Sequence, residues 1–365
     1  MIKGRVIYIE IAGRWRGSWH GSGMRQSRMK VSSTTDAAVY HCLSRVVDRR
    51  FILQEAEKEM FLQFLREYEQ FCGVQVLTYC LMSNHFHILL EVPKRPDVRP
   101  DAAEVLRRLE GLSGGAISAG KARQMLEMFA TAKDESGARE FLEQFHRRMW
   151  DVSEFMKLLK QRFTQWYNRR MNRQGTLWED RFKSLLVEGE GDALMTLAAY
   201  IDLNPVRAGL VTDPAEYRWS GYGEALAGRK RAKEGLRQIY AQAVRSREVT
   251  ATEALRGYRL RLFTQGEVGR EGTDTQGVPL RRGISREEVL RMIRSQGQIT
   301  LNEYLHCRVR YFSDGVALGS RGFVEGVFDK FRDHFGPQRK TGARRMRGLE
   351  EALFTARDLK VSVFG

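Results

Sequence analysis

Tyr79-Cys80-Leu81-Met82-Ser83-Asn84-His85-Phe86-His87-Ile88-Leu89-Leu90-Glu91-Val92 decides how the chain is read. Its second half alternates as a β-strand, and alternate side chains of a strand share a face. His85 and His87 therefore point the same way. Two imidazoles side by side on a rigid strand form half of a metal site. They also fit a second description, two ordinary polar residues on a wet sheet face. Turn-prone Ser83-Asn84 separates this strand from another over residues 74–81.

On either side of this hairpin the periodicity changes. Residues 38–47 are β-rich and make a first strand. Residues 55–71 place Met60, Phe61, Phe64, Leu65, Tyr68 and Phe71 at helical spacing. Residues 93–153 read as a helical insertion or extended crossover. An amphipathic helix follows over 152–172, with Phe155, Leu158, Leu159, Phe163 and Trp166, then a short strand at 185–188. A helix from Asp192 to about Leu203 is stopped by Pro205. The order β-α-β-β-α-β-α predicts an α+β fold: a ferredoxin-like split βαβ antiparallel sheet, followed by a mostly helical C-terminal region. The expected division is a loosely ordered basic arm over 1–35, a main domain over 36–226 with its helical insertion at about 94–150, a charged linker and helix over 227–280, and a basic helical region over 281–365. Within the last, 285–294 and 301–307 read as a small helical pair.

The 365 residues suffice for a sizeable core, and 42% hydrophobic and 10% aromatic content excludes a disordered chain. A net charge of +16 points to a polyanion, of which nucleic acid is the commonest. The 4 cysteines form no C-x-x-C pair, which excludes a zinc ribbon or dithiol motif and suits buried thiols in a reducing cytoplasm. No apolar run spans a bilayer, and the N-terminus makes a poor signal peptide. A cytoplasmic, nucleoid-associated protein is the expectation.

The helix ending in Tyr200-Ile201-Asp202-Leu203-Asn204-Pro205 supplies what the histidine pair lacks. Tyr200 and Asn204 are four apart and share a helix face, so a hydroxyl nucleophile and an amide ligand arrive together. Pro205 loosens that spacing. Tyr167 is a rival nucleophile, but four residues on lies Met171, a poor ligand for a hard cation. His41 reads as a hydrogen-bonded strand histidine in preference to a further metal contact, and Asp202 and Glu91 are expected to point elsewhere. Arg181 and Lys183 follow Trp178, pairing phosphate charge with a stacking face for single strands; Trp178 serves equally well as core. Arg169, Arg170, Arg173 and Arg207 are further candidates for phosphate contacts. The run Arg229, Lys230, Arg231 and Lys233 reads as a solvated loop that extends a DNA footprint. Arg339, Lys340, Arg344 and Arg345 form a basic run suited to auxiliary DNA recognition.

Three segments occur in a telling order: the His85-Phe86-His87 strand, Gly175-Thr176-Leu177-Trp178-Glu179-Asp180-Arg181-Phe182-Lys183-Ser184, and Tyr200-Ile201-Asp202-Leu203-Asn204-Pro205-Val206-Arg207-Ala208-Gly209. With the opening Tyr40-His41-Cys42-Leu43-Ser44-Arg45, they resemble the REP-associated tyrosine transposases, single-tyrosine members of the HUH endonuclease superfamily. The resemblance covers roughly residues 35–225. It implies His85, His87 and Asn204 as ligands of a divalent ion, Tyr200 as the nucleophile that forms a 5′-phosphotyrosine, and single-stranded hairpin DNA as the partner. The neutral ligand set suits Mg²⁺ or Mn²⁺ more than tight zinc. Monomer and homodimer both remain open. Two rival readings stand: a domesticated DNA-binding protein that does not cleave, and an RNA-binding module, which would want aromatic residues on the central strands.

Overall fold

Four long strands form the centre of the computed structural model, which describes residues 28–114, 118–263, 305, 309–347, 349 and 352–357. They are β1 (Ala38–Arg45), β2 (Gln75–Leu81), β3 (His85–Val92) and β4 (Lys183–Val187). Helix α1 (Glu55–Cys72) links β1 to β2 and α5 (Val152–Arg170) leads into β4. The order across the sheet is β2-β3-β1-β4, with antiparallel pairing throughout, which is the ferredoxin-like plan. The predicted insertion is three helices, α2 (Ala102–Glu110), α3 (Ala119–Thr131) and α4 (Glu135–His146).

Local chemistry fixes the ends of these elements. Asp151 caps α5 by accepting from the N–H groups of Ser153 and Glu154. Gly73 ends α1 in the left-handed region at φ 65°, where its N–H reaches Glu69 O. A side chain there would also meet the Trp150 indole at 3.0 Å.

Helices α1 and α5 cover one face of the sheet. Their Phe61 and Phe163 pack with Phe86 and Trp178 in an aromatic cluster. The other face takes α6 (Asp192–Asp202), the single turn α7 (Asn204–Arg207), α8 (Gly221–Leu226), α9 (Lys230–Val244) and α10 (Ala251–Phe263). Helix α9 sits directly on β2 because Gly235 has no side chain: a Cβ there would stand 2.2 Å from Leu77 O.

The C-terminal region holds more than helices. After α11 (Arg310–Asp314), strand β5 (Ala317–Gly319) pairs in parallel with β4, and α12 (Arg321–Lys330) leads to β6 (Arg344–Arg345) and β7 (Phe354–Thr355). The described sheet thus has seven strands, β2-β3-β1-β4-β5-β7-β6. Most of the expected basic arm, the 285–294 helix and nearly all of the 301–307 helix lie outside the described residues. No helix among the described residues is long and apolar enough to cross a membrane.

Candidate active site

The register brings the histidines together. Strand β1 pairs with β3 so that His41 faces Leu89 and Leu43 faces His87. His41 and His87 are therefore diagonal neighbours on one face, within reach of long side chains. His41 Nε2 lies 2.8 Å from His87 Nδ1, and His41 Nδ1 lies 3.0 Å from the carbonyl oxygen of Phe312 on α11. His85, half-buried at the start of the strand, has Nδ1 2.6 Å from Asn84 Oδ1. Its ring centroid stands 5.3 Å from that of His87.

Helix α6 brings Tyr200 over this face, with ring centroids 6.3 Å apart between His87 and Tyr200. The phenol is 3% exposed. Phe312 packs on one side at 4.6 Å, and the Arg207 guanidinium lies 3.9 Å from the ring centroid. Arg207 also donates to the carbonyls of Tyr200 and Leu305. An expected phosphate contact is thus turned inward, onto the tyrosine two helical turns earlier. At Pro205 the helix restarts as α7, yet the Leu203 N–H still reaches Ala199 O and the Arg207 N–H reaches Leu203 O, so the path stays helical.

Two neutral imidazoles and an amide suit a hard cation of modest affinity. Burial holds the His87 imidazole well below its usual range, and the neighbouring His41, His85, Arg207 and Arg45 press the same way. Burial also lowers His41 to about 4, against the opposing pull of the Phe312 carbonyl. Ligand histidines must be neutral, and burial pushes His87 towards that form. The Asn204 Nδ2 atom is buried without a hydrogen-bond partner. A flipped amide would put an oxygen donor at that spot. Among the described residues no three His, Cys, Asp or Glu side chains converge into a cation cage. The residues present fit a divalent ion.

Behind the tyrosine, Asp202 is fully buried. It accepts from Thr78 Oγ1 at 3.1 Å, Tyr258 Oη at 2.5 Å and the Tyr222 N–H at 3.3 Å. Burial pushes its carboxyl up to about 7, against the pull of these donors. It points away from the histidines, as expected, and ties α6 to β2, α8 and α10. Glu91 likewise looks elsewhere, to Gln238 on α9. Tyr167 packs on Phe163 in α5, on the opposite side of the sheet from the histidines.

Trp178 corrects one expectation. It is 6% exposed, stacks among Phe61, Phe86 and Phe163, and donates its indole N–H to Thr164 Oγ1 at 2.9 Å. Its faces are covered by core, so it offers no stacking platform for a base. Arg181 is exposed. Lys183 pairs with Asp314 at 2.7 Å. Arg169 and Arg170 are exposed at the end of α5, the latter 3.6 Å from Glu57, while Arg173 donates to Thr176 O. In the C-terminal region Arg339 braces its own loop through Thr341 O and Gly342 O. Arg344 donates to Thr341 Oγ1, and Lys340 and Arg345 are exposed. The part of Phe312 escaped sequence reading, since nothing local marks a residue that meets the site only through the fold.

Residues 34–119 match the family model described as "Transposase IS200 like". No curated protein matches the chain. One similar solved structure is that of a REP-associated tyrosine transposase bound to a REP hairpin. It shares 13% sequence identity, with 57% of this chain and 87% of that one covered and a TM-score of 0.36. The matched segment spans β1 to α2 and carries both His85 and His87. Over residues 34–119 the chain is thus similar to the IS200-like transposases.

Proposed function

We propose that the chain cuts and rejoins single-stranded DNA through Tyr200, beside a divalent cation held by His85, His87 and Asn204. The observation that carries this is the approach of the tyrosine of α6 to His87, the ligand candidate on β3 beside His85, with His87 and Tyr200 ring centroids 6.3 Å apart and those of His85 and His87 5.3 Å apart. Mg²⁺ or Mn²⁺ bound there would polarise the scissile phosphate and ease departure of the 3′-oxygen.

The chain's own groups do the rest. Tyr200 Oη forms a bond to phosphorus as the bond from phosphorus to the 3′-oxygen breaks. The phenol loses its proton and the departing 3′-oxygen ends as a hydroxyl. The product is a 5′-phosphotyrosine, and attack by another 3′-hydroxyl reverses the exchange and frees the phenol. Bond energy is conserved, so joining needs no ATP. Arg207, stacked on the ring and bonded to the Tyr200 carbonyl, holds the nucleophile in place. Phe312 of α11 covers one side of the buried phenol.

A net charge of +16 supports a nucleic-acid partner. Exposed Arg169, Arg170, Arg181, Lys340 and Arg345 are the side chains placed to meet phosphates. The family resemblance makes hairpin-containing single strands the substrate to try and the nucleoid the place of action. The test uses 3′-labelled single-stranded hairpin DNA from the flanks of the protein's own gene. A labelled, denaturation-resistant protein band with Mn²⁺, absent in EDTA, is expected. An equal band in EDTA overturns the cation role. Tight binding without any band overturns cleavage and leaves a DNA-binding protein.

A further inference from the structure

We infer that His41 is a positioning residue for the candidate cation: it fixes the tautomer of His87 so that His87 Nε2 carries the lone pair. The inference rests on the reading of His87 as a ligand and adds what prepares it.

The chain of hydrogen bonds has one consistent direction. A backbone carbonyl only accepts, so His41 Nδ1, 3.0 Å from Phe312 O, bears the proton. A neutral imidazole has one N–H, and His41 Nε2 is therefore an acceptor. It lies 2.8 Å from His87 Nδ1, which must be the donor. His87 is left with its lone pair on Nε2, the form a metal ligand needs.

Ring geometry agrees. The two rings are within 10° of parallel and their centroids are 5.0 Å apart. That separation matches one hydrogen bond plus the two ring radii, so the rings share an in-plane N–H···N bond and do not lie face to face. In-plane approach is what an imidazole lone pair requires. Both rings are buried, at 2% and 4% exposure, so water does not compete for these nitrogens.

The first link in this relay is remote. Phe312 lies 271 positions after His41, in the C-terminal region. Docking of α11 thus sets the proton position at a candidate ligand on β3, and the same residue packs on Tyr200. The C-terminal region becomes part of the site's preparation, in addition to any part in binding DNA.

The decisive measurement is nitrogen NMR of the metal-free full chain with labelled histidines, which separates protonated from lone-pair nitrogens. His87 of the wild type is expected with its proton on Nδ1. His41→Leu should move that proton towards Nε2, while His41→Gln, which keeps an acceptor, should hold it. In parallel, Mn²⁺ binding followed by electron paramagnetic resonance should weaken about 10- to 100-fold in His41→Leu and far less in His41→Gln. Wild-type His87 protonated on Nε2 overturns the proposal without any variant. So does an unchanged tautomer in folded His41→Leu. A wild type with the expected tautomer but no Mn²⁺ binding sinks the ligand reading and the cation role with it, and leaves only the hydrogen-bond relay.

Discussion

On one face of β3 Phe86 meets Phe61 at 4.7 Å and Trp178 at 5.4 Å; one residue on, on the other face, His87 meets His41 and Tyr200. The same strand serves both. Against α1 and α5 the contacts are aromatic, and their loss is a loss of packing. Towards β1 and α6 they are imidazole and phenol, His87 and Tyr200 both buried. Alternation along a strand lets one backbone carry a stabilising surface and the proposed site with nothing shared but main-chain hydrogen bonds. Substitutions on the two faces should therefore separate folding from chemistry.

The largest effect belongs to Tyr200, the proposed nucleophile. Tyr200→Phe keeps the ring against Phe312 and Arg207 and removes only Oη. The covalent adduct should vanish, with DNA affinity and thermal stability close to wild type; an adduct band from this variant on a denaturing gel would sink the assignment. The mirror experiment is Phe61→Ala on the opposite face. It empties the centre of the aromatic cluster and should lower stability by about 3–5 kcal/mol in denaturant titrations. Protein that remains folded should still form the adduct. If Phe61→Ala instead abolished the adduct in well-folded protein, the two faces would be coupled after all.

Much of this division was readable from residue order. His85-Phe86-His87 places its imidazoles and its phenyl ring on opposite faces by strand period alone, and the strand and helix order leads to the four-stranded centre. Three features were not legible. The His41–His87 bond depends on a register between β1 and β3 that only long-range pairing sets. Trp178 sits in a segment rich in charge, where sequence does not reveal that an indole turns inward to Phe61 and Thr164. Strands β5, β6 and β7 have two or three residues each, too few for a period of two to register. Arg207 illustrates a subtler point. A cation seven positions after a tyrosine lies two turns along the same helix face, so the sequence held its true partner as well as the phosphate it was assigned.

Acid and base act on the polar face in opposite directions. Asp202, raised to about 7 by burial, favours folding fully below its usual 3.8, and that contribution is lost as pH rises through about 7. His41, lowered to about 4 by burial, favours folding above its usual 6.5, and that is lost as pH falls through about 4. Between pH 4 and 7 the two slopes oppose each other. Asp202→Asn should leave stability rising with pH across this window relative to wild type, and His41→Gln should leave it falling. Melting temperatures at pH 4.5, 5.5 and 6.5, taken as round sampling points within about that window, would expose either slope. Parallel profiles for all three proteins would mean the buried face does not titrate as its burial requires.

The smallest expected effects sharpen the comparison within one short loop. Trp178 and Arg181 are three residues apart, one buried against the aromatic face and the other exposed. Trp178→Phe removes the indole donor to Thr164 and should lower stability by about 1 kcal/mol while leaving single-strand binding and its salt dependence unchanged. Arg181→Ala should do the reverse. Loss of one phosphate contact lowers the slope of log affinity against log salt by about 0.7 for a single strand, equally for any sequence, with no change in melting. Binding isotherms at several salt concentrations decide it. A flatter salt slope in Trp178→Phe would mean that the loop rearranges on DNA and that its aromatic side chain leaves the core to do so.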